Sequence, residues 1–117
     1  MTEVNEEDYQ LLKTTGAHVV TCPQSNLKLA SGFCPVSTLL EHNINVCIGT
    51  DGAASNNDLD MFAELQDVAM IAKALSQNPC HVPAHQALEM ATINGAKALG
   101  LDHQIGSIEV GKQADLI

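Results

Sequence analysis

The sequence predicts an α/β fold with parallel strands, and three observations carry that prediction. Ile44 to Gly49 is an almost continuous apolar run of strand length, and a strand without polar alternation is usually covered on both faces, the habit of parallel sheets. A second β-prone run, Ala17 to Thr21, lies about 28 residues upstream, near the ~30 residues of a βαβ unit. Around these runs the apolar residues recur at helical spacing.

Glu6 to Thr15 is expected to be the first helix, with Tyr9, Leu11, Leu12 and Lys13 in a helical pattern. Acidic residues occupy its first turn, where they suit the helix dipole, and Gly16 ends it. The strand Ala17 to Thr21 is stopped by Cys22-Pro23, and a polar loop is expected to follow. Pro35 then suits the first turn of a helix in which Val36, Leu39 and Leu40 share one face up to His42-Asn43. After the strand Ile44 to Gly49 comes the strongest helix, Met61 to Leu75, with Met61, Phe62, Leu65, Val68, Ala69, Ala72 and Leu75 on one stripe. A further helix is expected from Pro83 or Ala84 to Leu99, burying Ala87, Leu88, Ala91, Ala98 and Leu99. Asn94-Gly95 is a turn signal inside it, but the stripe runs through. Gly106 to Lys112 alternates between glycines as a short strand or hairpin arm would, and Ala114 to Ile117 reads as the start of another strand.

A chain of 117 residues has the size of one domain. Apolar residues make up 45% and charged residues 16%, a globular composition and not a disordered one. The net charge is −9 with only five Lys and Arg, scattered singly. That leaves no basic stripe for phosphates, so nucleic acid is not expected as a partner. Neither a signal peptide nor a membrane span is expected. Cys22, Cys34, Cys47 and Cys80 match no C-x-x-C pair or tight zinc framework, and they read as reduced thiols in a cytoplasmic protein.

In parallel α/β proteins, ligands gather at the C-terminal ends of the strands. That rule selects the loop Cys22 to Gly32 and the loop Gly49 to Asn57. Asp51 stands directly past an apolar strand, where a carboxylate can bind a cation or take a proton without costly burial. Gly49 and Gly52 beside it let the backbone approach a ligand. Asp51-Gly52 reads equally well as an ordinary turn. The polar groups of Ser25, Asn26 and Lys28 could face a substrate, or Ser25 and Asn26 could serve their own loop's backbone.

Four ordered motifs resemble the amidohydrolase superfamily, and within it the deaminases of methylthioadenosine and S-adenosylhomocysteine, with triazine hydrolases and guanine deaminase as relatives. They are Cys22-Pro23-Gln24-Ser25-Asn26-Leu27-Lys28-Leu29-Ala30-Ser31-Gly32, Gly49-Thr50-Asp51-Gly52-Ala53-Ala54-Ser55-Asn56-Asn57, Ala91-Thr92-Ile93-Asn94-Gly95-Ala96-Lys97-Ala98-Leu99-Gly100 and the stretch Gly106 to Leu116. The resemblance implies a partial TIM-type (β/α)8 barrel. The strands near residues 19 and 47 would be its seventh and eighth, residues 1–102 would be the C-terminal part of the barrel, and 103–117 would start a composite β-sandwich segment. It implies that Asp51 is at once catalytic, metal-binding and substrate-binding, accepting the proton of the attacking water and passing it to leaving ammonia. The implied cofactor of the complete enzyme is Zn²⁺ or another divalent metal, and the implied substrate is a small molecule with an adenosine-type or triazine ring.

The family's His-x-His, its histidines on the fifth and sixth strands and its substrate-binding glutamate match nothing in this sequence. Alone, the chain is therefore expected to be inactive and to hold no metal, since catalytic Zn²⁺ takes about three protein ligands. His81 and His85 stand at i, i+4, but Pro83 interrupts them and they read as a surface pair at a helix start. His18 in a strand, His42 at a helix end and His103 in a loop read as structural. Two other functions remain in view. One is a receiver-like signalling module, which lacks here its acidic cluster and strand-end lysine. The other is a self-associating α/β piece, because two strand units of eight leave open edges and favour a homo-oligomer.

Overall fold

Helix α1 (Glu6–Thr15) forms where the sequence places a start signal, acidic residues and a stop in succession. Asn5 accepts the amides of Glu7 and Asp8, and the Asp8 carboxylate takes the Asn5 amide at 2.9 Å, which closes a capping box. Gly16 ends the helix at φ 67°, a left-handed conformation that glycine adopts without cost. The structure, a computed structural model, describes residues 1–117.

Strands β1 (Val19–Thr21) and β2 (Val46–Ile48) form one parallel pair, with Val19 beside Val46, Val20 beside Cys47 and Thr21 beside Ile48. All of β2 is buried, whereas Val20 of β1 faces outward. Between the strands run α2 (Pro23–Leu29) and α3 (Val36–Glu41), and after β2 come α4 (Met61–Ser76), α5 (Ala84–Ala91) and α6 (Ile93–Ala98). Helices α3 to α6 all contact β2, and the core centres on Leu39, Val46, Val68, Ala87 and Met90. No helix is long and apolar enough to cross a membrane.

Four sequence expectations are corrected. The expected polar loop after β1 contains helix α2, which uses Pro23 at its first position and stops where Ala30 turns left-handed at φ 51°. Its seven residues are too few to display an apolar period. The expected helix to Leu99 breaks, not at Asn94-Gly95 but at Thr92, with φ −128° and ψ −95°. Asn94 stays helical because it docks α6 on the sheet: its amide donates to the Val46 carbonyl and its own carbonyl takes the Asn45 amide, both at 3.0 Å.

The core stripe also differs from expectation. Phe62, Leu75, Leu88 and Leu99 are exposed, while Glu64, Met90 and Ala96 are buried. Finally, Gly106 to Lys112 and Ala114 to Ile117 form turns and extended chain without a strand. A strand needs a partner's amides and carbonyls, and this segment finds only the Gln113 amide on the Gln104 carbonyl at 2.9 Å and the Lys112 amide on the Glu109 carbonyl at 3.1 Å. Gly106 is required where the tail crosses α6, because a Cβ there would stand 2.7 Å from that of Ala96.

Candidate active site

Because β1 and β2 are parallel, the loops that follow them emerge at the same end of the sheet. Asp51 lies just past β2 with φ 61°, a left-handed conformation uncommon for a residue with a side chain and favoured among such residues by Asn and Asp. Its Oδ2 accepts the hydroxyls of Ser25 and Ser55, each at 2.8 Å, and its Oδ1 accepts the Gly52 amide at 2.8 Å. The carboxylate is at the surface, while both serines are buried. The Ser25 hydroxyl, then that of Ser55 and then the Gly52 amide hold its pKa below the ordinary aspartate range. The result is an ionised carboxylate of fixed direction, with Oδ2 doubly engaged and Oδ1 carrying a single donor.

Ser25 therefore serves the carboxylate of the loop after β2 and not its own loop. Lys28 binds the opposite loop, donating to the Ala54 carbonyl at 3.1 Å and to Asn57 Oδ1 at 2.7 Å. Asn26 works through its backbone carbonyl, which accepts the Ala30 and Ser31 amides that end α2. Of the two glycines beside Asp51, Gly49 packs on β1, where an added Cβ would stand 3.2 Å from Val20 Cγ1 and 3.4 Å from Cys22 Sγ; the space at Gly52 is open. Cys22 is half-buried, and its thiol is pushed up first by burial and then by the Asp51 charge. All four cysteines are free.

The histidines are dispersed. His18 Nδ1 is 2.9 Å from the Asn45 amide, His42 stacks on Tyr9 with ring centres 4.8 Å apart, and His103 Nε2 is 2.9 Å from the Gln104 amide. His81 Nε2 lies 3.7 Å from Glu41 Oε1, and His85 is exposed on α5. No three His, Cys, Asp or Glu side chains stand close enough together to hold a metal ion. Asp51 fits a divalent metal as one oxygen ligand, being ionised, accessible and oriented, but it cannot serve as a full set.

Sequence reasoning placed Ser55 and Asn56 in the loop after β2 without giving either a role, and it missed Glu64. Glu64 is fully buried in the first turn of α4. Its Oε2 accepts the Gln24 amide at 3.1 Å and its Oε1 the Asn56 side-chain amide. Burial, and then the Asp67 and Asp58 charges, push its pKa up against the pull of the Gln24 and Asn56 donors. An acidic residue interrupting the apolar stripe of α4 was the available signal.

The sequence profile of the amidohydrolase family matches residues 1–117. The chain belongs to the amidohydrolase family. It is 58% identical over its whole length to a 5-methylthioadenosine/S-adenosylhomocysteine deaminase of Teredinibacter turnerae, and it covers 26% of that relative. Among solved structures, an adenosine deaminase from Xanthomonas campestris with bound zinc superposes with a TM-score of 0.95 at 53% identity, over 98% of this chain and 26% of that one. A triazine hydrolase variant superposes with a TM-score of 0.88 at 26% identity, over 97% of this chain and 25% of that one. This amidohydrolase chain thus spans about a quarter of the length of the proteins it matches.

Proposed function

We propose that this chain is the C-terminal part of the catalytic barrel of a metal-dependent aminohydrolase. Its substrates are of the S-adenosylhomocysteine and methylthioadenosine class, and Asp51 is its working carboxylate. The observation that carries the reading is the convergence of Ser25 and Ser55 on one oxygen of Asp51 at the C-terminal ends of two parallel strands. A carboxylate held in this way keeps one oxygen for orientation and presents the other at the surface.

On this reading Asp51 supplies one ligand to a divalent metal, and the remaining ligands come from outside these residues. When bound, the metal supplies a nucleophile at neutral pH. The chain's own part is to orient. Ser25 and Ser55 direct Oδ2 and the Gly52 amide pins Oδ1 from one side, which leaves one lone pair of Oδ1 open for the metal. With the metal there, one serine hydroxyl would have to release Oδ2 for that oxygen to accept a proton and return it to departing ammonia. The substrate class rests on the higher identity to the adenosine-type relatives, 58% and 53%, than to the triazine hydrolase, 26%.

Assembly belongs to the same reading. Val20 of β1, Phe62 and Met70 of α4 and Val110 of the tail are exposed, and exposed apolar side chains together with a sheet of only two strands favour cover by further barrel strands or by a second copy. Residues 103–117 would then gain strand partners as the start of a β-sandwich segment. A cytoplasmic location agrees with the free thiols.

The test is a comparison of kcat/KM for S-adenosylhomocysteine and methylthioadenosine against chlorinated triazines, in a protein that joins this chain to a complete barrel. A preference for the adenosine-type substrates by about a hundredfold or more is expected. A preference for the triazines would refute the substrate class and leave the role of Asp51 standing.

A further inference from the structure

We propose that Glu64 is a positioning residue whose buried carboxylate holds the two strand-end loops in the register that lets Ser25 and Ser55 converge on Asp51. The inference rests on the reading of Asp51 as the working carboxylate.

Glu64 is the acidic residue that the fold removes completely from water. A carboxylate there is costly unless both oxygens are bonded, and the two oxygens are used on different loops. Oε2 takes the Gln24 amide in the first turn of α2, and Oε1 takes the side-chain amide of Asn56 in the loop after β2. Asn56 shapes that loop in turn, since its Oδ1 accepts the amides of Asp58 at 3.3 Å and Leu59 at 3.0 Å. Gln24 precedes Ser25 and Asn56 follows Ser55, so each serine on Asp51 Oδ2 is one residue from a contact with Glu64. Lys28 spans the same loops on the exposed side, where long side chains are loosely held and contribute little.

The chemistry demands a carboxylate at 64. Gln24 N–H and the Asn56 amide are both donors, so the residue between them must accept twice and donate nothing. Glutamine would turn its own amide group against one of them. The complementary change at Asn56 repairs the conflict: with Glu64→Gln and Asn56→Asp together, the amide at 64 donates to the carboxylate at 56, its oxygen still takes the Gln24 N–H, and the carboxylate at 56 still accepts from Asp58 and Leu59. Net charge is unchanged.

The experiment is residue-resolved amide hydrogen exchange on this chain, wild type against Glu64→Gln and against the Asn56→Asp/Glu64→Gln double variant. Glu64→Gln should speed exchange at Gly52, Ser55 and Asn56 by about tenfold or more, while the amides of Cys47 and Gly49, which face β1, change by less than about threefold. The double variant should return the loop amides to within about threefold of wild type. Unchanged loop exchange in Glu64→Gln, an equal loosening of loops and β2, or a double variant no better than the single one would each overturn the inference. Should Glu64→Gln alone fail to fold, the double variant carries the test, with wild-type loop exchange in support and loosened loops against. In a complete barrel, Glu64→Gln should lower kcat with KM changed less than about threefold, and the double variant should restore it. Exchange reads the clamp independently of turnover, so retained turnover in Asp51→Asn would sink the functional reading and not this one.

Discussion

Ser25 and Asp51 are 26 residues apart in the chain, yet the hydroxyl of one lies 2.8 Å from Oδ2 of the other. The parallel register of Val19 with Val46 and Thr21 with Ile48 brings their two loops to one end of the sheet. Ser55, four residues past Asp51, meets the same oxygen at the same distance. Two hydroxyls on one oxygen fix the plane of the carboxylate, and the role proposed for Asp51, metal ligand and proton acceptor, would need that fixed direction.

Removing one of these donors should therefore act on turnover more than on binding. In an enzyme containing this chain, Ser25→Ala is expected to lower kcat roughly tenfold with KM changed less than about threefold. Its melting temperature should fall by no more than about 5 °C. Steady-state kinetics and a thermal melt decide it, and a defect confined to KM would assign Ser25 to the substrate instead.

Much of this arrangement was legible in the sequence because it rests on short-range signals. The apolar run ending at Gly49 gave a buried strand, and its end located Asp51. Asn5, the acidic turn and Gly16 bracketed α1. What was not legible depends on contacts between distant segments. Glu64 looks like an ordinary helix residue until Gln24 and Asn56 arrive from other loops, and Ser25 reads as a loop residue until Asp51 stands opposite. Phe62 and Leu88 follow the apolar period of their helices but are exposed, because periodicity marks a face without saying whether the same chain covers it. The tail alternates as a strand does, but no partner strand reaches it.

Lys73 is a structural hinge-pin that the sequence hid. Its ammonium donates to the carbonyls of Val82 at 2.7 Å and His81 at 2.8 Å, where Val82 is buried at φ 45°, a strained conformation for a β-branched residue. Lys73→Met should destabilise the chain by about 2 kcal/mol, read as a lower urea midpoint with an unchanged slope. An unaltered midpoint would mean that the turn before α5 holds itself.

Glu64 gives a pH dependence whose sign can be worked out. Burial and the neighbouring Asp67 and Asp58 raise its folded-state pKa above the ordinary 4.5 or so, against the two amides that favour its charge. In that window the folded chain binds more protons than the unfolded one, so this group's contribution to stability is fully present below about pH 4.5 and is lost as pH rises through the folded pKa. Glu64→Gln removes the contribution. The stability difference between variant and wild type should shift in favour of the variant as pH rises from about 4.5, measured by denaturant unfolding at several pH values. A shift in the opposite direction would show that the amides outweigh burial.

The role of Asp51 is tested most directly by ammonia release from S-adenosylhomocysteine, measured with a complete barrel carrying this chain, as wild type and as Asp51→Asn. The substitution keeps the size of the side chain and removes its charge and its capacity to accept the proton. Release is expected to fall by about a thousandfold or more, and the isolated 117-residue chain should give no release above a metal-only blank. Turnover by Asp51→Asn within about tenfold of wild type would contradict the assignment of Asp51 as the working carboxylate.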